Sequence, residues 1–109
     1  MKILGFKIPI VYVSDEELED HYAQIFGEEE SGKVLGNYDG VRKIIALNKD
    51  VFSKDKKDRS DEEETRLHET IEAINSITGI EMSHPQIATL SAVLHQVFVD
   101  NGYKPLKWK

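Results

Sequence analysis

A small α+β domain is what this 109-residue chain predicts: a small antiparallel or mixed sheet packed on one central helix, with two further helices. Three observations point there. Residues Ile3 to Val13 are rich in Ile, Val, Phe and Tyr with no helical period, and Lys33 to Asn48 reads as two more strands. Three stretches, opening at Ser14, Ser60 and Ser83, carry apolar residues at helical spacing behind a capping signature. The length suits a single domain over residues 1–109 with one core.

Within the first strand region Pro9 lacks an N–H, which predicts an outer or a broken strand. Ser14 with Glu17 at N3 then opens a helix whose stripe is Leu18, Tyr22, Ile25 and Phe26, ending at Gly27. His21 beside that stripe reads as a structural or exposed histidine rather than a ligand. Glu28 to Gly32 is an acidic loop, and Lys33 to Asn48 is a hairpin turned at Asp39-Gly40, a dipeptide suited to positive φ. Residues 50–59 mix charges of both signs with almost no apolar content and predict a surface loop.

The central helix spans Ser60 to Gly79. Leu67, Ile71, Ile74 and Thr78 form its apolar stripe, widened by Ile77. Ser60 with Glu63 fits a capping box, Asp61 to Glu64 complement the helix dipole, and Gly79 suits the left-handed residue past the end. The last helix starts either with Ser83 and Gln86 as a capping box or with His84 as cap and Pro85 at N1, and runs to about Asn101. Its broad apolar set of Ile87, Leu90, Val93, Leu94, Val97 and Phe98 predicts a mostly buried helix, in a monomer or a homodimer. The short basic tail 103–109 offers Tyr103 and Trp108 to pack back on the body.

The bulk composition narrows the function classes. Fourteen Lys plus Arg against 20 Asp plus Glu give a net charge of −6, which argues against nucleic acid as a partner. With no cysteine, a transition metal can be held only by histidine and carboxylate. The N-terminal apolar run lacks the length of a signal or spanning segment, so we expect no membrane partner and a cytoplasmic protein.

The chemistry concentrates in His68-Glu69-Thr70-Ile71-Glu72, an H-E-x-x-E sequence on the central helix. His68 and Glu72 lie one turn and about 40° apart, beside the apolar stripe, so both can reach one ion. Four histidines and twelve glutamates in 109 residues would produce such a match by chance about 0.05 times, which makes it worth pursuing. The plain alternative is a helix with a solvated charged face. A site needs at least one more ligand. His84, twelve residues after Glu72 and beyond a helix end, is the first candidate, with helix capping as its other role, and His95 is the runner-up. Asn75, one turn past Glu72, could hold a ligand or a bound water, and His95 could likewise support the site.

The segments G-N-Y-D-G-V-R-K-I-I-A-L-N and T-R-L-H-E-T-I-E-A-I-N, in this order, resemble the small zincin-like metallopeptidase-fold proteins of phages and prophages. Those in turn resemble the ImmA/IrrE and SprT-type metallopeptidases. The resemblance implies a zinc site with His68 as a ligand, Glu69 as the general base, and a downstream residue such as His84 completing the set. It also implies that Ile44 to Leu47 can present a strand edge to an extended peptide. Glu72 stands where those families carry histidine, and two histidines with one carboxylate also describe a non-haem iron site. The expected function is a zinc-dependent hydrolase, a peptidase of phage type working in the host cytoplasm. The alternative is a catalytically inactive relative that engages a protein or peptide partner.

Overall fold

The structure, a computed structural model, describes residues 1–18, 20, 35–52 and 60–102. Its α+β architecture follows the expected order of elements. Strands β1 (Lys2–Ile3) and β2 (Phe6–Lys7) form a small hairpin, and β3 (Ile10–Val13) follows Pro9, so the first strand region is broken where the missing N–H falls. A helix, α1, begins at residues 15–18 behind Ser14, whose Oγ accepts the Glu17 N–H at 3.1 Å. Strands β4 (Gly36–Asp39) and β5 (Ile44–Asn48) come next, then a helical turn α2 (Lys49–Phe52), the long helix α3 (Ser60–Thr78) and α4 (His84–Asp100).

The sheet is mixed, in the order β3-β5-β4, with β3 parallel and β4 antiparallel to β5. Both edges of β5 are therefore paired. The expectation that Ile44 to Leu47 offers a free edge to a peptide is corrected: β3 occupies one side of that strand and β4 the other. The Asp39-Gly40 turn also differs. Asp39 Oδ1 accepts the N–H groups of Val41 and Arg42 at 3.0 and 3.1 Å, and the left-handed residue is Lys43 (φ 56) instead of Gly40.

Ile45 and Leu47 point to one sheet face with Tyr38, and with Ile3, Ile8, Phe52 and Ala73 they make the main core. Helix α3 covers this face. Leu67 and Ile71, on its other side, meet Ile87 of α4 in a second cluster edged by Met82, Leu94 and Phe98. Thr78, expected in the stripe, is exposed and donates back to the Ile74 carbonyl. Residues 50–52, expected in the charged loop, are helical because buried Asn48 accepts the Asp50 N–H at 2.9 Å, which places Phe52 in the core. Asn48 also donates to Asp15 Oδ1 at 2.7 Å, joining β5 to the start of α1.

Helix α4 is corrected from mostly buried to half-covered. Only Ile87, Ser91 and His95 are buried in it, while Leu90, Val93 and Val97 are exposed. Its apolar set is wider than the one contact with α3 can cover. The expectations for His21, Tyr22, Ile25 and Phe26, the acidic stretch 28–32, residues 53–59 and the tail 103–109 lie outside the described residues. Among the described residues no helix is long and apolar enough to cross a membrane.

α3 sits unusually close to β4. A Cβ on Gly36 would come within 2.8 Å of the Thr65 methyl and 3.2 Å of the Ala46 carbonyl oxygen. We expect Gly36→Ala to cost about 1–3 kcal/mol of stability through overpacking. Thr65→Ser, which removes that methyl, should return part of the loss, as measured by urea denaturation of both single variants and the double variant.

Candidate metal centre

Three of the residues singled out from sequence converge. One ligand atom from each of His68, Glu72 and His84 falls within 4.8 Å of the other two, and this is the metal-competent group found among the described residues. Glu72 Oε2 lies 3.5 Å from His68 Nε2 and 3.2 Å from His84 Nδ1. The two imidazoles stand edge to face, with centroids 5.0 Å apart. His68 and Glu72 are partly buried, whereas the His84 side chain is 71% exposed, so the group opens to solvent on the His84 side.

Local backbone chemistry brings His84 there. Gly79 ends α3 in the left-handed region (φ 69), and its N–H bonds to the Asn75 carbonyl at 2.9 Å. Asn75 then grips the returning chain: Oδ1 accepts the Met82 N–H at 2.8 Å, and Nδ2 donates to the Met82 carbonyl at 3.3 Å. Where a contact of Asn75 with a ligand or bound water was expected, the structure shows both ends of its amide bonded to the turn. It positions His84 from two residues away. Of the two possible caps Ser83 takes the role, in a reciprocal capping box with Gln86, which leaves the His84 ring free to face Glu72.

His95 does not join the group. It is buried between α3 and α4 with Nε2 at 3.6 Å from Glu63 Oε2, so its standing as runner-up ligand is corrected. Sequence reasoning missed Ser91, which is 2% exposed and whose Oγ lies 3.4 Å from His68 Nδ1. A serine on the apolar side of a helix carries no signal of its own until the neighbouring helix is placed.

Burial holds the His68 imidazole below its ordinary pKa, against the raising influence of the Glu72 charge, so the ring is neutral at pH 7. Glu69 is placed differently from the three. It is 7% exposed and its carboxylate accepts the backbone N–H of Tyr38 on β4. Burial, and then the charge of Glu72, push its carboxyl up to about 8. The donor set of two imidazoles and one carboxylate fits zinc, and also iron, with room for exogenous ligands. Comparison with protein-family models, characterised proteins and solved structures finds no match to this chain.

The Glu69 proton binds more tightly in the folded chain than in the unfolded one. Its contribution to stability is complete below the usual carboxyl value near 4.5 and is lost as pH rises through about 8. Metal-free protein should therefore lose stability across that window. Glu69→Gln, which keeps an acceptor for the Tyr38 N–H and cannot ionise, should flatten the dependence. Urea midpoints of both proteins in chelator at about pH 5 and about pH 8 measure the difference.

Proposed function

We propose that the protein is a zinc-dependent hydrolase, a peptidase of phage type acting in the cytoplasm, with His68, Glu72 and His84 as metal ligands and Glu69 as general base. The observation that carries this is the convergence of those three side chains from two helices onto one point. Two imidazoles and a carboxylate would offset half the charge of a divalent cation and leave positions for water and substrate. Bound there, zinc would polarise the scissile carbonyl and lower the pKa of a water toward about 7.

The chain's own residues supply the rest. Glu69 follows His68 on the same turn, and burial, which raises its carboxyl above the ordinary range, makes it a stronger base than a solvated glutamate. It takes the proton of the attacking water at its carboxylate and delivers it to the leaving amine nitrogen. Peptide as the substrate class rests on the resemblance of the segment order to zincin-like proteins.

The burial of Glu69 under β4 favours a second function, in which the carboxyl only satisfies a strand edge. The protein would then be an inactive zincin-like module that engages a protein partner. The two diverge in one experiment. For the hydrolase, elemental analysis of protein purified without chelator should give one zinc per chain, lost in His68→Ala and His84→Ala. Glu69→Gln should keep the zinc and lose hydrolysis of a peptide library by about 100-fold or more. A chain without zinc overturns the hydrolase, and unchanged biological effect in Glu69→Gln selects the interaction module.

A further inference from the structure

We propose that Ser91 is a positioning residue that selects which nitrogen of His68 carries the ring proton and so aims its other nitrogen at Glu72 and His84. This rests on the zinc site proposed above, while its test does not require zinc.

A serine hydroxyl has one proton and two lone pairs. Ser91 donates that proton to the Ala88 carbonyl at 3.0 Å, the bond a helical serine makes back to the preceding turn. Toward His68 it then offers only a lone pair, at 3.4 Å from Nδ1. That contact is favourable only if Nδ1 carries the hydrogen and donates it. A neutral imidazole has a single N–H, so Nε2 is left with its lone pair.

Nε2 is the atom 3.5 Å from Glu72 Oε2, and the same carboxylate oxygen is 3.2 Å from His84 Nδ1. An imidazole lone pair facing a carboxylate oxygen is repulsive unless a cation lies between them. Without Ser91, Glu72 would draw the proton onto Nε2 as a hydrogen-bond donor, and the ligating lone pair would turn into the α3–α4 interface. Ser91 and Glu72 thus compete for one proton, and the serine holds the tautomer that a metal site needs.

The position of Ser91 suits this role. It is 2% exposed, so water does not replace its oxygen at Nδ1. It sits on α4, whose first residue is His84, while His68 is on α3, so one helix supplies both a ligand and the group that orients the facing ligand.

The test uses the full chain, uniformly labelled with nitrogen-15 and freed of metal by chelator, at a pH of about 8 where the His68 ring is neutral. Long-range proton–nitrogen correlation spectra report the share of each tautomer directly. We expect the Nδ1–H share of His68 to be highest in wild type and to fall in Ser91→Ala, with the other histidines unchanged. Ser91→Cys, a somewhat larger side chain with a weaker acceptor, should lie between them. Zinc affinity in competition with a chromogenic chelator should fall roughly 10-fold in Ser91→Ala. An identical tautomer share in wild type and both folded variants overturns the proposal. A tautomer shift in a wild type that binds no zinc supports the role of Ser91 and overturns the zinc site instead.

Discussion

The structure depends on how α3 meets the outer edge of β4. In the antiparallel pair the Ile45 N–H turns toward Pro9 of β3, so the opposite residue, Tyr38, directs its backbone groups away from the sheet. An unpaired strand edge invites association with another chain. Here α3 is close enough for Glu69 to accept the Tyr38 N–H. That approach is possible because Gly36, two residues earlier on the same edge, has no side chain to meet the Thr65 methyl. Glycine at one position and a buried carboxyl at another are therefore parts of one contact.

That contact fixes the rotation of α3, and the rotation places the chemistry. With Thr65, Glu69 and Ala73 turned toward the sheet, Leu67 and Ile71 face α4 and His68 and Glu72 fall on the boundary between the two. The site lies at this boundary. Its third member arrives because the link after Thr78 is short and gripped by Asn75, so the start of α4 returns beside the turn of α3 that carries Glu72.

Much of this was legible in the sequence where the signal is local. The helix ends at Gly79 and the Ser83 box with Gln86 are set by cap chemistry within a few residues. The convergence of His68, Glu72 and His84 follows from helical period plus one short link. What was not legible depends on partners distant in the chain. Glu69 and Thr65 look like members of a charged, solvated face, and their burial follows from the approach of α3 to β4, where Glu69 accepts from the strand edge and the Thr65 methyl packs at Gly36. Two paired edges on β5 could not be anticipated from its apolar run, which is the same for an edge or a central strand. The broad apolar face of α4 similarly overstated burial, since periodicity records which residues are apolar and not how many neighbours exist to cover them.

Cation binding at the candidate site would be linked to the docking of α4. The contacts of α4 with α3 include an apolar cluster around Leu67, Ile71 and Ile87 and polar contacts of His84 with Glu72, Ser91 with His68 and His95 with Glu63. A cation held by residues from both helices would bind the docked state and not the undocked one, so its binding energy would add to the stability of the joint. The direct contacts of the Glu72 carboxylate with the two imidazoles are worth little when one ring is largely exposed. His84 is the hinge of that balance. It is the first residue of α4, its ring is the most exposed of the three, and moving it away would open the candidate site.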